Sequence, residues 1–267
     1  RGNDCLNKGE LESAISHYKN ALKIRPELAE AHCNLGVAYK SLGDSKNAVE
    51  CYGNALRIKP DYLGAHMNLG LCLMESGNLV GAENCFKKVI GINPKDSAAR
   101  VNLGNIHLAK LELDTASDYY KRAFELNPKE INALYNLGIT EGKRNDFNRS
   151  IDCYSKVLEI QPEHYNALNN LGTMHLETLD LQAAEKSFRS AIHFSPTFPE
   201  AHNNLGHVLV LRGKKGAVEC FKEAILNKPG FKDAYLNLAA TLESISFASY
   251  DSDMAAILLN LVKQENL

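Results

Sequence analysis

The chain has 267 residues, of which 45% are hydrophobic and 23% charged, and its formal net charge is -2. That composition is too apolar for a disordered chain, and a near-neutral balance supplies no general field for a nucleic acid, whose partners present a basic face. No apolar run approaches the ~20 residues that span a bilayer, so no membrane segment is expected.

Taken in order, the chain begins at Arg1 with no initiator Met, and Gly2 falls halfway through a first helix in the phase set by the later residues. Such a start implies a longer chain, and it leaves an apolar edge over residues 1–25 as an expected point of self-association. One phrase then keeps time: Asn34-Leu35-Gly36 returns as Asn68-Leu69-Gly70, Asn102-Leu103-Gly104, Asn136-Leu137-Gly138, Asn170-Leu171-Gly172 and Asn204-Leu205-Gly206, each 34 residues after the last. Asn237-Leu238-Ala239 follows after 33 residues, so one residue has been lost without losing the phase. Pro26, Pro60, Pro94, Pro128, Pro162, Pro196 and Pro229 keep the same period. Two columns in register mark a stacked repeat array, in which each unit buries its surface only against its neighbours.

With the Asn as position 6, the chain reads as a single array: a partial repeat 1–28, full repeats 29–62, 63–96, 97–130, 131–164, 165–198 and 199–231, a final repeat helix 232–246 and a capping helix 252–267. In 29–62, Ala31, Asn34, Leu35, Ala38, Tyr39 and Leu42 recur at helical spacing before Gly43-Asp44 breaks the pattern. A second run carries Ala48, Cys51, Tyr52, Ala55, Leu56 and Ile58 up to Pro60. Gly43 suits a left-handed turn and Asp44 suits a helix cap, so each unit is a helix, a tight turn and a helix. The glycines at position 8 cost about 1 kcal/mol each against Ala within a helix, which a close helix–helix approach would repay. The alanines Ala48, Ala82, Ala116, Ala184 and Ala217 are expected opposite them, with the aromatic column Tyr18, Tyr52, Phe86, Tyr120, Tyr154, Phe188 and Phe221 filling the space between units. Met254, Ile257, Leu258, Leu261 and Val262 form the stripe expected to cover the open end of the stack.

These columns (a small residue at 8, Ala at 20, an aromatic at 24, Ala at 27 and Pro at 32) resemble the tetratricopeptide repeat over roughly residues 1–246. The resemblance implies an all-α fold, a right-handed α-solenoid superhelix whose first helices line a concave groove for proteins or peptides. The unbroken Asn column over 34-residue units looks most like the repeat arm of O-linked N-acetylglucosamine transferases and related bacterial transferases, in which the arm receives the acceptor protein and catalysis lies in a following domain. Members that hold a chaperone's terminal carboxylate carry basic groove residues, which this sequence lacks.

The Asn column carries the candidate chemistry. Asn34, Asn68, Asn102, Asn136, Asn170, Asn204 and Asn237 project from successive first helices, and a carboxamide can pair with both the N–H and the C=O of a peptide backbone. A purely structural use, bonding neighbouring helices, is the competing reading. Groove positions 2, 5 and 9 supply Cys33, Val37, Met67, Leu71, Val101, Asn105, Asn132, Tyr135, Asn166, Asn169, Asn203 and His207, with acids only at Glu30, Glu200 and Asp233. The expected partner is an extended segment of a protein or peptide, bound by a non-catalytic scaffold; the alternative is a substrate-recruiting arm of a transferase whose catalytic domain lies outside this chain.

Other residue types are read as structural. The seven cysteines are an odd number, and the column Cys51, Cys85, Cys153 and Cys220 places equivalents two helices apart, beyond the ~7 Å Cα limit of a disulfide. Reduced thiols in an intracellular, cytoplasmic setting are expected, with no metal or other cofactor. No nucleophile elbow, phosphate loop or His-Glu-x-x-His is present, so no enzyme is expected in this chain. His32, His66 and His202 share position 4 while His107 and His175 share position 11, both packing or groove-edge positions. Arg212-Gly213-Lys214-Lys215 reads as a solvated turn, and Asn148-Arg149-Ser150 as a coincidental glycosylation match. In 131–164, Glu141, Gly142 and Ser150 depart from the columns and predict a loosened or bent unit.

Overall fold

The structure, a computed structural model, describes residues 1–243; the expected capping helix 252–267 and the end of the final repeat helix lie outside the described residues. Contacts divide the chain into two units, Arg1–Ala133 and Leu134–Leu267. The described residues form fifteen helices and no strand. In the first unit these are α1 (Gly2–Asn7), α2 (Leu11–Ile24), α3 (Ala29–Ser41), α4 (Ser45–Ile58), α5 (Leu63–Glu75), α6 (Leu79–Ile92), α7 (Ser97–Ala109) and α8 (Leu113–Leu126). Then follow α9 (Ile131–Lys143), which begins at the division, α10 (Phe147–Ile160), α11 (Tyr165–Glu177), α12 (Leu181–Phe194), α13 (Pro199–Leu211), α14 (Ala217–Asn227) and α15 (Lys232–Glu243). Within each unit, a helix packs mainly on its neighbours in the chain.

Local chemistry sets the helix limits. The second helices α4, α6, α10 and α12 start where Asp44, Asn78, Asp146 and Asp180 accept the backbone N–H three residues on, satisfying one of the orphan donors of a first turn. At position 15 the chain turns through positive φ, at +81° for Gly43, +79° for Gly77 and +61° for Gly213. The same turn is made without glycine by Leu111 at +60°, Asn145 at +60° and Leu179 at +61°. A leucine there meets its own carbonyl, at roughly 1–2 kcal/mol, and Leu111 and Leu179 are 70% and 79% exposed, so little packing offsets it. Leu179→Gly is therefore expected to raise the thermal midpoint by the equivalent of ~0.5–1 kcal/mol after glycine's own entropy is subtracted; a lowered midpoint would show that the side chain contributes where it lies.

The position-8 glycines pack against the aromatic of their own unit, beside the alanine column at position 20, where Ser150 reaches the Gly138 carbonyl. A Cβ on Gly36 would lie 2.6 Å from the Tyr52 ring, on Gly70 2.7 Å from Phe86, and on Gly206 2.6 Å from Phe221. Each ring lies across the backbone of its own unit's first helix, so the aromatic fills space within the helix pair and not, as its column suggests, the space between units. The rings of Tyr52, Phe86, Tyr120 and Phe188 are fully buried. They anchor cores such as Ala82, Phe86, Val89, Ala99, Leu103 and Ile106 in the first unit, and Phe188, Leu205, Val208, Phe221, Tyr235 and Leu238 in the second.

In the unit 131–164, for which the sequence predicts a loosened or bent unit, α9 keeps the thirteen-residue length of the other first helices. Glu141 is 1% exposed and takes Arg144 Nη1 at 3.0 Å, which meets the requirement that a buried charge be paired. Ser150 Oγ donates to the Gly138 carbonyl at 2.7 Å, and Gly142 leaves room for Met174, whose sulfur would stand 3.1 Å from an added Cβ. The basic turn is not simply solvated, because Arg212 Nη1 and Lys214 Nζ both pair with the buried carboxylate of Glu185.

The histidines at position 4 have a shared role. Nε2–H donates to the carbonyl of Pro26 from His32 (2.9 Å), of Pro60 from His66 (2.7 Å) and of Pro196 from His202 (2.8 Å). The two repeat columns thus form one latch between a connection and the helix that follows it. No disulfide joins the seven cysteines, of which Cys5 and Cys220 are partly exposed and the other five buried. No helix among the described residues is long and apolar enough to cross a membrane.

Candidate functional site

All seven position-6 asparagines are half-buried on their first helices. The amide groups of Asn34, Asn68, Asn102, Asn170, Asn204 and Asn237 reach back to the preceding repeat, most often to position 5. Asn68 hydrogen-bonds the Cys33 thiol. Asn102 Nδ2 approaches Met67 Sδ at 3.7 Å. Asn34, which has no complete repeat before it, donates to Asn3 Oδ1 at 3.1 Å. Asn136 is also half-buried, and its backbone carbonyl accepts from Thr140 Oγ1 at 2.7 Å.

In the second unit these pairs join into a chain. Asn237 Nδ2 donates to Asn203 Oδ1 at 2.9 Å, and Asn203 Nδ2 donates to its neighbour Asn204 at 3.5 Å. Asn204 Nδ2 donates to Asn169 Oδ1 at 3.1 Å, and Asn169 Nδ2 to Asn170 Oδ1 at 3.4 Å. Asn170 Nδ2 ends the run on the hydroxyls of Tyr135 (3.1 Å) and Tyr154 (3.4 Å). Tyr135 is itself held between the Tyr154 ring and a stacked His164, at centroid distances of 5.9 and 5.0 Å. Burial pushes both tyrosine hydroxyls up, so they remain protonated donors and acceptors.

The acceptors in this run are residues that sequence reading placed on the open groove. Cys33, Val101, Asn169 and Asn203 at position 5 are 4%, 8%, 8% and 7% exposed, so that column is covered and not presented. The doublets Asn169-Asn170 and Asn203-Asn204 were the available signal, since paired amides in one repeat phase can bridge to the next. Position 9 plays a second part: Asn3 and Asn105 accept the hydroxyls of Tyr18 and Tyr120 at 2.7 Å each. A carboxamide has one acceptor oxygen and two N–H groups, and the network engages one N–H of Asn204 and Asn237. What it leaves on the half-exposed edge is a row of oriented donors and acceptors. Among the described residues, no group of three or more His, Cys, Asp or Glu side chains is placed to hold a metal ion.

Paired helices, the first of each full unit thirteen residues long and the second fourteen in all but α14, define with these columns a tetratricopeptide repeat scaffold, and family comparison agrees. Profiles described as TPR repeat or tetratricopeptide repeat match residues 2–43, 29–62, 73–137 and 131–164. The chain belongs to the tetratricopeptide repeat family, a family of protein-interaction scaffolds. Among solved structures it is similar to YrrB, described as a TPR protein with an unusual peptide-binding site, at 20% identity over 69% of this chain and 95% of that one (TM-score 0.59). It is similar to Pseudomonas aeruginosa pilF at 14% identity over 81% and 97% (TM-score 0.69). The C-terminal part of a TPR repeat-containing protein from Cytophaga hutchinsonii matches at 15% identity over 89% and 98% (TM-score 0.71). At these identities the likeness is one of fold. Comparison with curated proteins returned no match.

Proposed function

We propose that the chain is a non-catalytic scaffold that binds an extended segment of another protein along the position-6 asparagines. The observation that carries this reading is the amide run from Asn237 through Asn203, Asn204 and Asn169 to Asn170: hydrogen bonds hold each carboxamide in one orientation, with Asn169 and Asn203 covered and Asn170, Asn204 and Asn237 left half-exposed. Groups fixed before a ligand arrives lose less entropy on binding. An amide row reads backbone N–H and C=O without reading side chains, which suits a partner in extended conformation. A peptide as partner is supported by the peptide-binding site named for YrrB, a chain of the same fold. The arm of a larger transferase, receiving that enzyme's protein substrate, is the second form of the same reading and rests on the unbroken Asn column. An intracellular setting belongs to it as well: no disulfide links the cysteines, and burial pushes the thiols of Cys51 and Cys220 up to about 11.

Selection from a random peptide display library, followed by binding isotherms, tests the reading. Asn170→Ala with Asn204→Ala removes about two ligand bonds at Asn204 and one at Asn170, whose N–H groups serve Tyr135 and Tyr154, at a net ~0.5–1.5 kcal/mol apiece, so affinity should fall at least roughly tenfold. Methylation of the backbone nitrogens of a selected peptide should weaken it comparably. Unchanged affinity in both experiments would leave the amides with a structural role only, visible as a lowered melting curve.

A further inference from the structure

The second unit carries a concentration of positive charge that the amide row does not use. Gln182, Glu185, Lys186, Arg189, Ser190 and His193 recur along one face of α12, and with Arg212 and Lys214 from the end of α13 they line a cavity of about 470 Å³. At its base Glu185 Oε1 takes Arg189 Nε at 3.0 Å, while Oε2 takes Lys214 Nζ at 2.8 Å and Arg212 Nη1. Burial pushes this carboxyl up, and Lys214 and Arg189 together pull it below the usual range, so it stays ionised. One negative charge gathers three cations, and Lys186 adds a fourth at the rim.

An internal comparison shows what is unusual. Glu83 stands at the same repeat position as Glu185 and pairs with Lys87 and Lys110, the counterparts of Arg189 and Arg212. There the charges balance, because Glu112 joins the cluster through His107 Nδ1. The residue matching Glu112 in the later unit is Lys214: both donate their backbone N–H across the turn to position 11, to His107 and Leu209 respectively. At that position Asp44, Asn78, Asp146 and Asp180 each cap the next helix, whereas Glu10 and Glu112 do not. Lys214 cannot cap, and α14 begins only at Ala217 after an uncapped Gly216. A cap is worth about 1 kcal/mol, and where four other units use one, Lys214 instead raises the positive surplus around Glu185, Lys186 included, from two to three, which marks a function at the expense of local stability.

We propose that this cleft binds a phosphoryl group, carried by a phosphorylated side chain of a partner protein. The chemistry favours a phosphoryl over a single carboxylate. A phosphomonoester has about -1.5 to -2 charge and three acceptor oxygens, and guanidinium forks match those oxygens in pairs. Arg189 and Arg212 each use one nitrogen on Glu185, which leaves the rest of each fork for a second acceptor. The hydroxyl of Ser190 and the ammonium groups of Lys186 and Lys214 complete a donor set around the opening. This place lies about 12 Å along α13 from Asn204, eight residues at 1.5 Å each, so its occupancy does not depend on the peptide reading above.

The test uses the intact chain and three probes: a fluorescent peptide of neutral composition bearing one phosphoserine, the same peptide unphosphorylated, and inorganic phosphate as competitor. The phosphopeptide should bind at least about tenfold tighter than its unphosphorylated form, and the difference should shrink with added salt. Lys214→Asp reverses a charge at the opening and sets a second acid beside Glu185, so phosphopeptide affinity should fall at least about tenfold, with the melting curve recorded beside it to separate loss of binding from loss of fold. Lys186→Ala, which removes a charge that takes no part in holding Glu185, should weaken binding in the same direction. Competition by phosphate together with a preference for the phosphopeptide supports a phosphorylated partner; binding of phosphate with no such preference keeps the phosphoryl chemistry but assigns the free anion. Equal binding of both peptides without phosphate binding, or a Lys214→Asp protein that binds as tightly as the parent, overturns the proposal.

Discussion

Gly104→Ala is expected to destabilise the chain by about 1–3 kcal/mol, although the same replacement at an open helical site stabilises by about 1. The added Cβ would stand 2.5 Å from Tyr120 Cε1. The ring cannot retreat, since it is fully buried and its hydroxyl donates to Asn105 Oδ1 at 2.7 Å. Gly53 supplies the control: it lies inside α4 with nothing within 4 Å of a built Cβ, so Gly53→Ala should gain what helix propensity predicts. A smaller residue opposite should relieve the clash. Gly104→Ala in a Tyr120→Leu background should therefore show a coupling of about 1 kcal/mol or more in a double-mutant cycle, and strict additivity would refute the contact.

Arg144→Met should cost up to about 3–5 kcal/mol, because it removes an ion pair from the buried Glu141 carboxylate. Glu141→Leu removes the charge itself and restores an apolar residue of the kind found at position 11 in Leu73 and Leu209. Arg144 is 31% exposed at its side chain and can turn to water, so this change should lie within about 1 kcal/mol of the parent or above it. The sign of the difference is the test. Chemical denaturation of both variants that showed Glu141→Leu as the more damaging would mean that the carboxylate contributes more than its burial costs.

Much of the fold was legible because its instructions are local and repeated. The turn at Gly43-Asp44 is specified by a left-handed φ and a cap three residues from its donor, and both are visible in the residues themselves. Leu111 and Leu179 hid the same turn behind unsuitable residues, and only the register of the neighbouring repeats revealed it. The candidate site was legible as a column and not as a network. Asn204 was recognisable as one of a row, yet its bond to Asn169 crosses 35 residues to a position expected to face the groove.

What the sequence determined by itself was the period, the helix and turn limits, the uniform helix pair and the family, since each follows from interactions within about one turn of helix and is written again in every unit. Tertiary structure decided which columns meet. A step of one residue turns a side chain by about 100° around its helix, so periodicity says which residues share a face but not which face of the next helix it touches. That rotation, set by packing, put the aromatic rings over the glycines and joined the asparagines through position 5. It also brought Arg212 and Lys214, 27 and 29 residues downstream, onto the carboxylate of Glu185.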